Sequence, residues 1–280
     1  GFESHCPLHF FYRMNTWHLI VEPAPLPGSW NMAVDERLYR LAGGSPRTFL
    51  RFYQWERPTA SLGYSQDAAK VVDRDFCAAH GIDIVRRMTG GKLVLHHREV
   101  TYSVASSDAA VFTETLRDSY RRISQALLGG LAILGVAARL AETSPPAYVK
   151  STMPCFAFPA RDEIEAGGRK IVGSAQKRTG DAFLQHGSIP LEKDEALLAA
   201  VASPGETPES LGMTSLSEAL GRPVDFDAAV GPFVQGFADL FGASFERYSL
   251  SAEDLEVVRA IQAAKYASDD WTFRRPGPAR

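Results

Sequence analysis

The strongest constraint on the fold of this chain is an alternating, glycine-punctuated segment that ends at Ile189. The run EIEAGGRKIVGSA has the form of a β-hairpin that turns at Gly167-Gly168, and AFLQHGSIPL has the pattern of the next strand. The segment places Lys170, the small tripeptide GSA and His186 between two strand-like apolar runs. An amine, a small-residue stretch and an imidazole on adjoining strands favour a site that handles an acyl group.

A second segment, VRRMTGGKLVLHHREVTYS, places two arginines ahead of Gly90-Gly91 and an alternating strand. The glycine pair predicts a hairpin between IDIVRRM and KLVLHHREVTYSVA. A turn that needs positive φ explains such a pair by itself, but the glycine amides could also approach a ligand oxygen closely. The segment is not a phosphate-binding P-loop, because Leu93 follows Lys92 where that motif needs serine or threonine.

The remaining pattern predicts one α+β domain with a mixed or antiparallel sheet flanked by helices. Strands are predicted at Trp17–Glu22, TFLRFYQW and TASLGY, and AARLAE continues as a strand or short helix. Helices are predicted over residues 31–42 with Asn31 as N-cap, around Cys77, over 114–134, near 195–202, over 226–241 and over 252–268. Residues 143–159 hold four prolines and indicate a long loop.

Composition excludes several classes of function. The chain has 280 residues, of which 45% are apolar, and a formal net charge of -3, which gives no overall basic face for nucleic acid. A membrane span is not expected, since no run of about 18 apolar residues occurs. The opening GFESHCPLHFFYR lacks the features of a secretory signal, so a cytoplasmic location is predicted. Residues 1–13 are interpreted as an upstream extension or a cloning remnant, and 14–280 as a single catalytic domain.

The three cysteines, Cys6, Cys77 and Cys155, have no metal-binding or disulfide spacing and favour free thiols. Cys77 lies in a short helical pattern, where a buried structural thiol is expected. Cys155 lies in the loop YVKSTMPCFAFP, where a thiol near a cation could ionise and act as a nucleophile. The alternative is a small buried residue packed beside Phe156 and Phe158.

Paired basic residues have alternative interpretations. Arg86 and Arg87 alternate across a strand, so at least one is expected to be a solvated surface arginine. His96 and His97 alternate in the same way, and no cysteine or histidine at ligand spacing accompanies them, so no metal site is predicted. Lys170 is either an exposed surface lysine or a buried amine that polarises a thioester carbonyl or controls the protonation of a nearby thiol.

Five sequence blocks occur in the order found in one known superfamily. The chain resembles the lipoate/biotin protein ligase and octanoyltransferase superfamily from Trp17 to the C-terminal WTFRR. The blocks are WNMAVDERL, LRFYQWERPTASLGYSQ, VRRMTGGKLVLHHREVTYSV, CFAFPARDEIEAGGRKIVGSAQKR and LQHGSI. The resemblance implies a fold like the catalytic domains of biotin and lipoyl protein ligases, which are related to class II tRNA synthetases.

The Cys-Phe pair upstream of GRKIVGSAQ resembles the octanoyltransferases that keep a nucleophilic cysteine in this loop. The resemblance implies that Cys155 forms an octanoyl thioester and that Lys170 faces the acyl carbonyl. ATP-dependent lipoate ligases usually read RR.SGGG.V.H...GN, whereas here Lys92 replaces the third glycine and the sequence EVTY replaces Gly-Asn.

The expected reaction begins with octanoyl-acyl carrier protein, whose acyl chain enters an apolar tunnel beside Gly90-Gly91 and passes through Cys155 to a lysine of a lipoyl-accepting protein. That acceptor is the glycine cleavage H protein or a dehydrogenase E2 lipoyl domain. No cofactor is needed, because the thioester is already activated. Amides near residues 173–175 and the Lys170 ammonium are expected to stabilise the oxyanion. Arg86 and Lys92 are predicted to meet acidic carrier surfaces or the pantetheine phosphate.

Apart from Cys155 and Lys170, the candidate residues are all assigned to substrate binding. They are Arg86, Arg87, Gly90, Gly91, Lys92, His96, Gly173, Ser174, Ala175, Gln176, His186 and Gly187. A structural role is an equal alternative for His186. Two other functions stay open: an ATP-dependent lipoate ligase, which would use ATP and Mg²⁺, and a non-catalytic protein that binds carrier or lipoyl domains.

Overall fold

A computed structural model describes residues 15–112, 115–142, 162–202 and 212–274 of the chain. Within these ranges no helix combines the length and the apolar character needed to cross a membrane. Cys6, Cys155 and the loop predicted over residues 143–159 lie outside the described residues.

The larger of two β-sheets is mixed. In the described part of the chain its eight strands lie in the order β11 (Ser244–Arg247), β1 (Thr16–Val21), β2 (Thr48–Tyr53), β6 (Glu99–Ser106), β10 (Ala182–Pro190), β9 (Arg169–Thr179), β8 (Ile164–Ala166) and β7 (Ala138–Leu140). Strand β1 pairs in parallel with β11 and β2, and the other neighbours are antiparallel. The predicted Gly167-Gly168 hairpin is confirmed as β8 and β9, with β10 as the next strand.

The smaller sheet corrects the prediction of a hairpin at Gly90-Gly91. Its strands lie in the order β4 (Asp83–Arg86), β3 (Thr59–Leu62) and β5 (Val94–His96), so β3 separates the two segments that were expected to pair. β3 runs parallel to β4 and antiparallel to β5. The predicted strand after Lys92 is also divided, since its second half is β6 of the larger sheet. The glycine pair therefore belongs to a loop that connects β4 to β5 within the smaller sheet, and Gly91 in this loop has φ +93°.

Helices cover both faces of the larger sheet. Their bounds are α1 Gly28–Gly44, α2 Ala68–Val71, α3 Arg74–Ala79, α4 Leu116–Leu134, α5 Glu195–Val201, α6 Leu216–Leu220, α7 Phe226–Phe241, α8 Ala252–Ile261 and α9 Asp269–Phe273, and a π-helical segment spans Gln262–Tyr266. The prediction of Asn31 as an N-cap is wrong, because α1 begins at Gly28. Asn31 instead donates from its side-chain amide to the carbonyls of Leu26 and Gln54.

Alternation along the central strands separates two cores. On one face Phe49 and Leu184 pack with residues of α1 and α8. On the other face Leu50 and Phe183 pack with residues of α4 and α7. Because each strand is covered on both sides, polar residues that point toward α1 are also buried. This architecture confirms the predicted α+β class with a mixed sheet flanked by helices.

Candidate active site

Two rows of side chains cross four neighbouring strands, β2, β6, β10 and β9, on the face that α1 covers. In the first row the backbone register aligns Arg51, Ser103, His186 and Ala175. In the second row it aligns Tyr53, Thr101, Ser188 and Gly173. Residues two apart on a strand share a face, so the register places both rows side by side under α1.

Asp35 of α1 joins the polar residues of the first row, and Tyr53 of the second row, into one buried network. Its carboxylate lies 3.0 Å from the Arg51 guanidinium, and it accepts hydrogen bonds from the Tyr53 hydroxyl at 3.0 Å and the Ser103 hydroxyl at 2.9 Å. His186 Nδ1 lies 3.0 Å from Asp35 Oδ2. A carboxylate with this number of donors can remain ionised although it is buried.

The charge states of this network follow from its contacts. Burial alone would raise the pKa of Asp35, but the hydrogen bond from His186 and the charge of Arg51 outweigh it and hold that pKa below its usual value. Burial lowers the pKa of His186, although Asp35 acts in the opposite direction. Neutral His186 then donates from Nδ1 to Asp35 and accepts at Nε2 from the Thr89 hydroxyl, which lies at 2.7 Å.

Glu99 organises the second row. Its carboxylate accepts hydrogen bonds from the hydroxyls of Thr101 and Ser188 and lies 2.7 Å from His96 Nδ1. The far side of the His96 ring meets the Ser61 hydroxyl at 2.7 Å, and Trp55 stacks on the ring with centroids 4.0 Å apart. The site thus contains two buried histidine-carboxylate pairs. His186 and Asp35 belong to the first row, and His96 and Glu99 adjoin the second.

A narrow cavity lies between the two rows and the smaller sheet, and we call it the closed cavity because it is the more enclosed of two neighbouring cavities. Its lining consists of Met32, Tyr53, Trp55, Arg87, Val94, His96, Thr101, Gly173, Ser174, Ala175, His186, Gly187 and Ser188. The free interior is about 20 Å³, which is room for about one water molecule. A larger apolar guest therefore requires side chains of the lining to move.

An open cavity of about 340 Å³ adjoins the closed one. Its lining consists of Gly90, Gly91, Leu116, Arg117, Tyr120, Asp162, Glu163, Ser174, Ala175 and Gln176. The two cavities share Ser174 and Ala175 of β9, which we call the neck. Behind the open cavity the Lys170 ammonium is fully buried, 2.7 Å from the Glu163 carboxylate. The interpretation of Lys170 as an exposed surface lysine is therefore wrong.

Hydrogen bonds fix the neck from the side opposite α1. The Tyr102 hydroxyl lies 2.7 Å from Ser174 Oγ and accepts from the Gln185 amide at 2.9 Å. Burial raises the pKa of Tyr102 to about 12, so the hydroxyl keeps its proton and can donate it to Ser174. Gly187 lies opposite Ser174 in the register, and a Cβ atom there would come within 2.7 Å of Ser174 Oγ and 2.6 Å of the Tyr102 ring.

The adjacent arginines differ from the prediction that one of them is solvated, since Arg86 is 0% exposed and Arg87 is 4% exposed. Arg86 donates to five backbone carbonyls, those of Gly63, Tyr64, Gln66, Trp271 and Thr272. It holds α9 against β4 and is not among the residues that line the two cavities. Arg87 lines the closed cavity and donates to the carbonyls of Gly90 and Lys92, so it fixes the loop that connects β4 to β5.

The structure thus brings together most of the predicted site residues. Gly90, Gly91 and Gln176 line the open cavity, and Arg87, His96, His186 and the segment around Ser174 line the closed one or the neck. The sequence interpretation missed Asp35, Tyr53, Trp55 and Glu99. A carboxylate within the apolar helix pattern WNMAVDERL was the available signal for Asp35. Among the described residues no group of His, Cys, Asp or Glu has the arrangement of a metal site.

Similarity to known proteins covers nearly the whole chain. Residues 27–238 match the model of the lipoyl protein ligase A/B catalytic domain family. Octanoyltransferase LipM of Kyrpidia tusciae is 39% identical over an alignment of 277 residues, which covers 94% of this chain and 100% of that protein. Octanoyltransferase LipM of Geobacillus kaustophilus is 38% identical, and the match covers 89% of this chain and 95% of that protein.

Two solved structures share the fold. The crystal structure of lipoate-protein ligase A bound with ATP has a TM-score of 0.80 at 24% identity, covering 93% of this chain and 100% of that one. The bipartite lipoate protein ligase of Thermoplasma acidophilum has a TM-score of 0.77 at 22% identity, covering 94% and 98%. At these identities the likeness supports the architecture and leaves the reaction to the closer relatives.

Proposed function

Since the chain belongs to the family of lipoyl protein ligase A/B catalytic domains, we propose that it is an octanoyltransferase, which transfers an octanoyl group to a lysine of a lipoyl-accepting protein. The observation that carries this activity is the similarity, over almost the full length of both chains, to relatives named octanoyltransferase. The donor is octanoyl-acyl carrier protein, and the acceptor is the glycine cleavage H protein or a dehydrogenase E2 lipoyl domain.

The closed cavity is the proposed site for the octanoyl chain. Its lining joins apolar groups of Met32, Trp55 and Val94 to polar groups that are already hydrogen-bonded to Asp35 and Glu99. Burial of each methylene contributes about 0.8 kcal/mol, which favours opening of the cavity around the chain. Met32 is suited to make room, because its flexible thioether side chain adapts to irregular spaces.

The thioester carbonyl then lies at the neck, where the two cavities meet. We propose that the Cys155 thiol gives up its proton and attacks this carbonyl as a thiolate, that the bond from the carbonyl carbon to the carrier's sulfur breaks, and that the proton from Cys155 passes to the departing carrier thiol. The acceptor lysine next attacks the Cys155 thioester as a neutral amine. An amide bond forms, the bond to Cys155 breaks, and the proton lost by the amine returns to the sulfur.

Lys170 is the proposed electrostatic partner of this chemistry. Its buried ammonium is paired with Glu163, a residue that lines the open cavity. A fixed positive charge behind the cavity stabilises the thiolate and the tetrahedral oxyanion, and removal of one such group typically costs 10²–10³ in rate. Neither intermediate requires a nucleotide or a metal ion, so we propose that the enzyme uses neither.

Intact mass after incubation with octanoyl-carrier protein tests the covalent step. We expect a single octanoyl adduct that Cys155→Ala abolishes and Cys77→Ala retains. Cys77 is the matched control, because burial raises the pKa of its thiol to about 11 and it is not nucleophilic at neutral pH. An adduct that persists in Cys155→Ala contradicts the proposed nucleophile.

The same proteins separate the other functions. Pyrophosphate release from ATP on addition of free lipoate, unaffected by Cys155→Ala, would indicate an ATP-dependent ligase. Stable complexes with carrier or lipoyl domains, without acyl transfer from any donor, would indicate a binding protein. Transfer of octanoate to the acceptor lysine in the absence of ATP supports the proposal.

A further inference from the structure

A cluster of basic and aromatic side chains lies beside the site without a part in the proposed chemistry. Tyr64 and Trp271 pack with ring centroids 5.8 Å apart. The Lys177 ammonium lies 5.7 Å from the centre of the Tyr64 ring, and the Lys265 ammonium lies 4.0 Å from that of Trp271. Arg40 completes the cluster. We call these five residues the basic-aromatic patch.

The patch carries excess positive charge. Arg40 and Lys265 share one carboxylate, Glu36, at 2.5 and 2.6 Å. Within the described ranges no carboxylate forms an ion pair with Lys177. By their ion pairs, two of the three cations thus share one carboxylate and the third has no carboxylate partner among the described residues, in a chain whose formal net charge is -3.

The three cations of the patch lie close enough together for Lys177 and Arg40 to change the pKa of Lys265. Burial lowers the pKa of Lys265 most, and the charges of Lys177 and Arg40 lower it further. Glu36 acts in the opposite direction. The side chain of Arg40 is 53% exposed, and Tyr64, Trp271 and Lys177 are partly exposed, so an incoming protein can reach the patch.

The patch is continuous with the neck. Lys177 follows Ala175 by two residues on β9 and therefore shares its face of the strand. The Tyr64 amide donates to the Thr89 carbonyl at 2.8 Å, which joins the patch to the loop that carries Gly90 and Gly91. At about 3.3 Å per residue, Lys177 lies about 10 Å along the strand from Ser174.

We propose that the basic-aromatic patch binds the acidic surface of the acyl carrier protein that delivers the octanoyl thioester. This inference rests on the proposed function. An acidic protein suits the charge, and the exposed rings add the contact area typical of protein interfaces. Nucleic acid is a poorer fit, because the cluster is small and the chain as a whole is acidic.

The offset from the neck favours the donor over the acceptor. A carrier holds its thioester on a long flexible arm, so its body can bind at the patch while the thioester reaches Ser174. The acceptor offers a lysine on a short side chain, so its body must lie at the open cavity itself. We therefore assign the carrier contact to the patch and not to Arg86, which is buried and donates its hydrogen bonds to backbone carbonyls.

Two donors test the patch. The value of kcat/KM is measured with octanoyl-carrier protein and with octanoyl-pantetheine, using one acceptor, for the wild type, Lys177→Glu and the double variant Lys177→Glu/Arg40→Gln. We expect about a tenfold loss with the carrier for the double variant, mainly through KM, and a loss that shrinks as salt screens the charges. With octanoyl-pantetheine the values stay within about twofold.

Arg247→Glu is the matched control. Arg247 is exposed on β11, an edge strand of the larger sheet, and four strands separate β11 from β9, which is a distance of about 24 Å. It should leave both donors unaffected. Thermal melts check folding, and Lys177→Gln, with about half the effect of Lys177→Glu on log kcat/KM, replaces that variant if it unfolds.

Three results would overturn the proposal: equal losses with both donors, no loss with the carrier, or a rise confined to the KM of the acceptor. Competition by single-stranded RNA for carrier binding to the wild type but not to Lys177→Glu would assign the patch to nucleic acid instead. Failure of the proposed function is a separate observation, namely that the wild type forms no adduct with octanoyl-pantetheine.

Discussion

The closed and open cavities share the neck but are built in different ways. Around the closed cavity, buried carboxylates of Asp35 and Glu99 hold hydroxyl and imidazole groups at fixed distances. The open cavity includes the exposed glycines of the loop that connects β4 to β5, and Leu116, which is 47% exposed. The closed cavity therefore has a rigid lining, and the open cavity has a lining that can adapt to a partner.

The difference follows from how each region is supported. A buried polar network is stable only when its members are hydrogen-bonded, so the polar groups around Asp35 hold one arrangement. Residues with few buried contacts open at lower free energy, which suits a region that admits large substrates. We infer that selectivity for the acyl chain resides in the closed cavity and that the transfer chemistry occurs at the open one.

The largest predicted effect concerns the ion pair behind the open cavity. Lys170→Met should reduce acyl transfer by about 10²-fold or more, because the positive charge beside the reaction is lost. It should also lower the free energy of unfolding by about 3–5 kcal/mol, since the Glu163 carboxylate loses its buried partner. Single-turnover kinetics and urea denaturation measure the two effects.

The double variant Lys170→Met/Glu163→Gln separates the effect on acyl transfer from the effect on the free energy of unfolding. It should regain most of the stability, because no buried charge is left uncompensated, and remain inactive. Binding of the octanoyl chain, measured by calorimetry with an octanoyl amide, should stay close to wild type if the closed cavity alone selects the chain. Recovery of transfer in the double variant would reduce Lys170 to a structural role.

A second variant narrows the neck itself. Gly187→Ala places a methyl group within 2.7 Å of the Gly173 carbonyl oxygen and Ser174 Oγ. Backbone of a central strand moves little, so we expect a loss of about 1–3 kcal/mol in unfolding free energy and weaker binding of the chain. Gly43→Ala is the control, because its added methyl group would lie at an ordinary contact distance of 3.6 Å from Ala182 Cβ. Equal melting temperatures for the two variants would contradict a tight neck.

Local sequence patterns predicted individual helices and strands better than they predicted which strands pair with one another. Helix α7 has the predicted bounds, Phe226–Phe241, and α4 ends before Gly135, whose φ is +90°. The hairpin at Gly90-Gly91 was wrong because β3, about thirty residues upstream, pairs with both strands. Alternation shows which residues share a face and does not reveal which distant strand lies alongside.

The site could be predicted where glycine and strand patterns mark it, as at Gly90 and Ser174. The buried positions of Arg86 and Asp35 could not, because burial depends on elements far away in sequence. Arg86 is covered by α9, some 185 residues later. Asp35 meets His186 only after α1 packs on a sheet of non-consecutive strands. Whether Cys155 reaches the neck stays a prediction, since it lies outside the described residues.

The pH dependence of the free energy of unfolding tests whether the network around the closed cavity is rigid. Burial places the pKa of His186 below its usual value of 6.5, so below about pH 6.5 the unfolded chain binds a proton that the folded chain does not. The free energy of unfolding should therefore fall as pH decreases from about 6.5 toward the lowered pKa. In His186→Gln this fall should be smaller, as measured by urea denaturation between pH 5 and 7.

His18 provides the comparison, because burial also lowers its pKa but the side chain is 20% exposed and contacts Glu246. His18→Gln should remove a smaller part of the pH dependence, because the remaining hydration favours its charged form in the folded state. If His18→Gln removed more of the pH dependence than His186→Gln, the network around Asp35 would accept a proton readily. That result is inconsistent with a rigid lining of the closed cavity.

The smallest predicted effect compares one hydroxyl at the neck with one in the closed cavity. Tyr102→Phe removes the hydrogen bonds to Ser174 and Gln185, and Tyr53→Phe removes one of several donors to Asp35. Each should cost about 1 kcal/mol of stability.

The kinetic consequences should differ between the two tyrosines. Because the neck belongs to both cavities, Tyr102→Phe should weaken chain binding and also slow transfer from octanoyl-pantetheine, whereas Tyr53→Phe should affect chain binding alone. Binding titrations and single-turnover rates on both variants measure this. If Tyr53→Phe slows transfer as much as Tyr102→Phe does at saturating donor, the closed cavity takes part in the chemistry and the division between the two cavities is wrong.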